Sequence, residues 1–513
     1  METGHDDAVR RAASWTVGEV FAAQARRVPD RIAIDDGGRT FTYRALDERT
    51  CRLANCMRVL GIEHGSRVAI LSENRAEYIE AALAAARLGA VLCALNWRLA
   101  QAELAHCVGL VEPTLVLVSP RFETAYDALG HAGPTKIVIG EDYEQRIAMA
   151  DARPPTAIVE PEDGLLILYT SGTTGLPKGA LISHRAELAR MNLSRIDLGL
   201  EDGDQFVAWA PMFHMVSIEH ALHVLGMGGK VFVVDGADIE RIVTLVATEP
   251  QWWLVLIPGM IEPLVAALRE RGARARGIKL VGALADLVPA PLVGEASRLL
   301  QAPYWNTFGS TETGMLPAAG TRFAIGEEPV DLSKAHNSLY LWRLVDADDR
   351  DVAIGEPGEI AVRGPTLFSG YWQADEVNAR EFRGGWFHMG DMFVETAEGR
   401  LAFVDRSKYL IKSGGENIYP IEVERALMAD PRVAEAVVVK RRDPDWGEVP
   451  VAFVATRGVT VDAAELVRGC RERLSSYKLP REIRFVASQD DFPRSTSGKI
   501  QRQQVERWLE ENA

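Results

Sequence analysis

Residues 169–180 read YTSGTTGLPKGA. Hydroxyls at Thr170, Ser171, Thr173 and Thr174 alternate with Gly172, Gly175 and Gly179, and Lys178 supplies one cation. Glycines let a backbone curl and expose successive N–H groups, hydroxyls add donors, and an ammonium balances negative charge; together they make an anion cradle. The preceding run LLILY has strand character, which puts the loop at a strand end, where α/β proteins usually bind phosphates. The pattern is not a P-loop, because Lys178 is neither preceded by Gly nor followed by Ser or Thr. A polar turn without a ligand is the other reading of the same residues.

A loop of this kind needs a rigid frame. From Val68 onward short apolar runs alternate with longer helical patterns: RVAIL (67–71) reads as a buried strand, RAEYIEAALAAARLG (75–89) as a helix stopping at Gly89, and AVLCAL as the next strand. The rhythm returns in TLVLVS (114–119), KIVIG (136–140), KVFVVD (230–235) and IKLVGA (278–283). It predicts parallel strands with crossover helices, a layered α/β architecture, to about residue 320. Beyond that, residues 339–365 hold two strand-like runs around an Asp- and Gly-rich turn, which suggests antiparallel structure. AEAVVVKRR and EVPVAFVATR then read as strands beside two helix patterns, DAAELVRGCRERL and KIQRQQVERWLEE, in a compact α+β unit of about a hundred residues. The boundary is placed near Asp405, giving an N-terminal region 1–404 with a small β portion and a C-terminal domain 405–513.

Composition narrows the function. A formal charge of −15 opposes a broad electrostatic grip on nucleic acid or anionic lipid, so a phosphate-bearing ligand needs a local site. The five cysteines, Cys51, Cys56, Cys93, Cys107 and Cys470, form no CxxC pair, which indicates neither a zinc cage nor a disulfide framework. The first residues lack an apolar signal core, and the richest apolar stretches, 81–95 and 252–260, are too short for a membrane span. The expectation is a cytoplasmic protein with neither nucleic-acid partner nor membrane span.

The 169–180 stretch closely resembles the phosphate-binding signature of the adenylate-forming (AMP-binding) superfamily. Further motifs of that family follow in order: PMFH (211–214), FGSTE (308–312), GWFHMGD (385–391), DRSKYLIKSGGENIYPIEVE (405–424) and PRSTSGK (493–499). The resemblance covers nearly the whole chain and is nearest to the acyl- and aryl-CoA synthetase branch, whose form KSGGENIYPIEVE shares.

The resemblance implies a role for each matched residue. The glycine and hydroxyl run with Lys178 holds the β- and γ-phosphates of ATP. Phe308 stacks on the adenine, beside Thr307, Gly309 and Ser310; Thr311 bonds a phosphate, and Glu312 holds magnesium together with Thr170. Hard oxygen donors of this kind suit magnesium, which keeps several waters and binds phosphate too. Asp391 accepts hydrogen bonds from the ribose hydroxyls, and Arg406 reinforces them. Lys499, in the catalytic role with Glu312 and Thr170, bridges the attacking carboxylate and the α-phosphate. Lys408 is the hinge about which a mobile C-terminal domain turns between half-reactions. Gly414, Gly415 and Glu416 then line the path of the CoA thiol, with Tyr477 as a stacking residue. His214, Met215, Val216 and Gly309 border the acyl group; for His214, a hydrogen-bonded core histidine is the competing assignment. Thr307 stands where dicarboxylate-selecting relatives place an arginine, which disfavours a malonate-type acid. Trp252 and Trp253 read as core.

Three positions depart from the family pattern: Tyr409 in place of an aspartate after DRSK, Ser66 for an aspartate, and residues 335–346 without their usual glycine- and proline-rich stretch. The reading that follows is an ATP-dependent ligase that converts a neutral-tailed aliphatic or aromatic carboxylate to an acyl-adenylate and then a CoA thioester. The co-substrates are ATP and CoA, with Mg2+, and a homodimer is one assembly to test. Two alternatives stay open: a synthetase passing the acyl group to a carrier-protein thiol, and a nucleotide-binding regulator on the same scaffold.

Overall fold

The computed structural model describes residues 3–131, 133–170, 176–315, 317–414, 416–471, 473–494 and 500–511. The chain divides into two compact units: Met1–Leu341 with Arg363–Phe387, and Trp342–Val362 with His388–Ala513. The segments 342–362 and 388–404 therefore group with the C-terminal part by compactness, although sequence texture had placed them in the N-terminal region.

The first unit contains two sheets. One has six strands in the order Thr135–Val138, Leu115–Val118, Arg67–Leu71, Val91–Ala94, Gly164–Thr170 and Lys178–Ser183. Its first five strands are parallel, as the apolar runs predicted, and the last is antiparallel. The other has eight strands, with six parallel ones in the middle and an antiparallel strand at either edge. The helix Ala76–Leu88 is buried along almost its whole length, consistent with its alanine-rich sequence, which lets other elements pack on several sides. Trp252, Trp253 and Trp305 are core residues, as expected for the first two, and each indole N–H has a carbonyl acceptor: Leu198, Gly282 and Ala319 respectively. Burying a large apolar side chain stabilises by about 1.5–3 kcal/mol, and pairing the indole N–H avoids the cost of a stranded donor.

The second unit also has two sheets. A four-stranded sheet runs Leu341–Val345, Pro357–Arg363, Phe387–Glu395, Leu401–Arg406, its last two strands antiparallel with Asp391 opposite Arg406. The other sheet is built on the long hairpin Val433–Asp443/Gly447–Thr456, with apolar clusters under Pro420–Met428 and Ala463–Arg471 on one face and under Arg502–Glu511 on the other. Among the described residues no helix is long and apolar enough to cross a membrane.

Candidate active site

The cradle loop closes a β-hairpin, where the sequence had suggested only a strand end. Gly164–Thr170 and Lys178–Ser183 pair antiparallel, with Thr170 opposite Lys178. Ser171, Gly172, Thr173, Thr174 and Gly175 lie outside the described residues, but both of their anchors are in view. Residues 369–372 extend the edge of this hairpin: Ser369 N donates to the Leu181 carbonyl, Leu181 N to Gly370, and Trp372 N to Gly179. That pairing carries Tyr371 to the cradle. Its ring lies 3.9 Å from Lys178 Nζ, and its hydroxyl donates to Glu312 Oε1 at 2.7 Å. Asn378 fixes the same residue by accepting from Tyr371 N and donating to its carbonyl.

Lys178, Tyr371 and Glu312 thus form one chain of contacts. Burial pulls the Lys178 pKa down, and the charges of Glu312 and Glu381 oppose that fall. Tyr371 is one residue that sequence reading missed. It stands 59 positions from Glu312, in a stretch whose only signal is the aromatic pair of SGYW (369–372).

The FGSTE segment follows the strand Tyr304–Asn306. Asn306, fully buried, accepts from Ala285 N and donates to the Leu332 carbonyl, which anchors the segment at its base. Thr307 and Phe308 are buried too, and Phe308 N donates to the Ala318 carbonyl. Ser310 and Gly314 bridge a tight turn, and Ser310 N donates to Thr313 Oγ1, so the STE triplet forms a turn. At Gly309 a Cβ would lie 2.1 Å from the Gly314 carbonyl oxygen, so only glycine closes this turn. Glu312 sits in the turn with Oε1 engaged by Tyr371. Among the described residues it forms no ion pair.

The donor set there fits magnesium. No group of three or more His, Cys, Asp or Glu capable of caging a metal occurs among the described residues. A lone carboxylate suits an ion that takes most of its ligands from phosphate and water.

In the PMFH segment, His214 precedes the helix Met215–Gly226. Its ring lies 4.6 Å from that of Phe213, which meets Trp97 edge-on. Met215 is buried and Val216 half-buried, its carbonyl accepting from His220 Nδ1. Sequence reading did not single out Trp97 or Phe213; they add aromatic surface beside His214.

In the second unit Asp391 is almost fully buried, and Arg406 forms an ion pair with it, Nε 3.1 Å from Oδ1, across the paired strands. Asp405 takes the opposite side: its carboxylate accepts from the backbone N–H of Ile421 and so holds the start of the helix Pro420–Met428. Lys408 and Arg502 each place their charge 4.9 Å from the Tyr409 ring. At this departure from the family pattern, an aromatic ring near two cations occupies the place of a carboxylate.

Gly414 has φ +58, and a Cβ there would lie 2.6 Å from the Trp446 ring. Trp446, absent from the sequence assignments, is 45% exposed, with the Arg481 guanidinium 5.1 Å from its ring. Tyr477 is 37% exposed, with the Lys478 ammonium 5.7 Å from its ring. Glu416, at the start of a short strand, is exposed. Gly415 and Lys499 lie outside the described residues.

These motifs match known proteins along most of the chain. An indoleacetate–CoA ligase of Aromatoleum aromaticum is 35% identical over 93% of this chain and 95% of its own. A feruloyl-CoA synthase of an Amycolatopsis species is 33% identical over 96% of this chain and 98% of its own. The structure of an O-succinylbenzoate coenzyme A synthetase from Bacillus subtilis, in complex with ATP and magnesium ion, superposes with a TM-score of 0.83 at 27% identity, covering 95% of this chain and 99% of that one. The model of the AMP-binding enzyme matches residues 21–372 and that of the AMP-binding enzyme C-terminal domain matches 422–499, so the chain belongs to the AMP-binding enzyme family.

Proposed function

We propose that the protein is an ATP-dependent carboxylate–CoA ligase. A carboxylate oxygen attacks the α-phosphate of ATP, a P–O bond forms, and the bond to pyrophosphate breaks. The CoA thiol, losing its proton, then attacks the acyl carbonyl and AMP leaves. The observation that carries this reading is the contact chain Lys178–Tyr371–Glu312 at the mouth of the hydroxyl- and glycine-rich hairpin. It sets a cation for phosphate beside a carboxylate for a metal, with the phenol fixing the distance between them.

In this reading Lys178 and the loop hold the β- and γ-phosphates, Phe308 faces the adenine, and Asp391, oriented by Arg406, takes the ribose hydroxyls. Glu312 and Thr170 would hold magnesium. When bound, that ion neutralises phosphate charge and favours departure of pyrophosphate. Lys408 is the hinge, and 405–513 the part that moves about it. His214, Met215, Val216 and Gly309 line the acyl side. The relatives' names point to aromatic acids, which makes aryl and arylalkyl carboxylates the first arm of a substrate panel. The five cysteines, all free and buried, agree with a reducing, cytoplasmic setting, and sedimentation decides between monomer and homodimer.

The test is pyrophosphate release from ATP across aromatic, branched and straight-chain acids, with and without CoA. Turnover sustained only with CoA is expected. Release indifferent to CoA would move the acceptor to a carrier-protein thiol, and ATP binding with no release for any acid would leave the regulator reading.

For the second half-reaction, Gly414 and Trp446 are the informative pair. Gly414→Ala adds a methyl against the indole and forces a left-handed backbone that costs about 1–2 kcal/mol for a non-glycine residue. Thioester formation from supplied acyl-adenylate is expected to slow about tenfold, the factor that 1.4 kcal/mol represents. Adenylation should stay within about twofold of wild type; equal losses in both steps would remove Gly414 from the thiol path.

A further inference from the structure

Arg190, on the helix His184–Ile196, is 2% exposed. Its guanidinium reaches three oxygens on three different segments. Nη1 donates to Glu219 Oε1 at 2.6 Å, Nη2 to the Thr311 carbonyl at 3.1 Å, and Nε to the Thr366 carbonyl at 2.9 Å. Glu219, 1% exposed, belongs to the helix Met215–Gly226, which begins directly after His214. Thr311 precedes Glu312. Thr366 opens the stretch that leads to Tyr371, and Phe368 N donates to the Glu312 carbonyl at 2.9 Å. The Arg190 side chain also packs against Gly314, where a Cβ would meet its Cδ at 2.9 Å.

We propose that Arg190, anchored by Glu219, is a positioning residue for adenylation: it fixes the Thr311–Glu312 turn against the Tyr371 segment and ties both to the helix that starts at the acyl side. The inference rests on the acyl-adenylate reading above. A buried ion pair is a weak source of stability, and apolar side chains of similar volume often replace it without loss. What the planar guanidinium alone provides is direction, with several N–H vectors in fixed relation. Here two of them hold main-chain carbonyls of the segments bearing Glu312 and Tyr371. Loosening that turn leaves every proposed substrate-contacting group present but lets the carboxylate drift from its place, and small misplacements cost large factors in rate.

The test compares wild type, the paired variant Arg190→Met/Glu219→Met, and Arg190→Lys. Each is followed by thermal unfolding, calorimetric titration of ATP over a range of magnesium concentrations, adenylation kinetics, and thioester formation from supplied acyl-adenylate. The paired variant removes both charges together, so it should fold with a melting temperature within a few degrees of wild type. Its adenylation kcat is expected to fall about 10–100-fold with a much smaller change in KM for ATP. The magnesium needed for tight ATP binding should rise, and the thioester step should stay near wild type. Arg190→Lys, which keeps a charge and at least one donor, should recover part of the loss. If the paired variant does not fold, Arg190→Lys carries the same four readouts. Unchanged adenylation in a folded variant, or proportional losses in both half-reactions, overturns the proposal. Absence of adenylation in wild type across the acid panel would instead remove the function on which it rests.

Discussion

Lys499→Ala is expected to abolish adenylation while leaving thioester formation from supplied acyl-adenylate largely intact. The acid and ATP both arrive as anions, so attack at the α-phosphate brings negative charge together. An ammonium placed between the carboxylate oxygen and the phosphate offsets that charge most strongly as it shifts in the transition state. Removing one such preorganised donor typically costs about 10²–10³ in rate, and a full cation in a two-anion reaction belongs at or above the upper end. The second half-reaction starts after pyrophosphate has left and needs no cation at that point. Lys499→Arg keeps the charge but replaces a compact point donor by a wide planar fork, so it should recover only a minor part. The measurements are acid-dependent exchange of pyrophosphate into ATP, and CoA-dependent consumption of purified acyl-adenylate. If Lys499→Ala lowered both equally, the lysine would serve folding or domain movement and not the chemistry.

Lys499 is assigned by its motif alone and lies outside the described residues, whereas other parts of the candidate site come from the structure. The parallel strands around Val68, Val91 and Leu115 are short apolar runs with helices between them, and the buried sheet they form follows from that pattern. The hairpin at 164–183 has the same local texture. Only the partner strand decides its direction, so an antiparallel edge could not be told from a strand leading into a crossover. Tyr371 and Arg190 escaped notice for a different reason. Each acts through contacts with residues far away in sequence: Tyr371 through an edge pairing with 179–181, and Arg190 through two carbonyls that any residue type could supply. Side-chain chemistry marks a donor, but main-chain acceptors leave no trace in sequence. Tyr409 shows the converse. The motif made it visible as an anomaly, and the structure sets its ring 4.9 Å from the charges of both Lys408 and Arg502, contacts that the motif did not announce.

Glu312→Gln separates charge from shape at the centre of the site. Glutamine keeps an acceptor for the Tyr371 hydroxyl, so the contact chain to Lys178 and the fold should survive, with a melting temperature close to wild type. What disappears is the negative charge. A neutral amide oxygen is a much poorer partner for a hard divalent cation than a carboxylate, so half-maximal adenylation should require at least about tenfold more magnesium. At saturating metal, kcat should remain about 10²-fold down, because the amide's dipole cannot replace the charge that orders the metal–phosphate array. The same substitution acts on Lys178. Burial already lowers its pKa, and the Glu312 carboxylate opposes that fall, so neutralising Glu312 lowers the pKa further. The lysine must be charged to hold phosphate, so activity is lost as pH rises through its pKa. The alkaline limb of kcat/KM for ATP, which reports the free enzyme, should therefore move to lower pH in Glu312→Gln than in wild type. An alkaline limb that stayed in place or moved up would show that Lys178 and Glu312 are electrostatically independent. A magnesium requirement left unchanged would show that the carboxylate's task is to hold Tyr371 and not the metal.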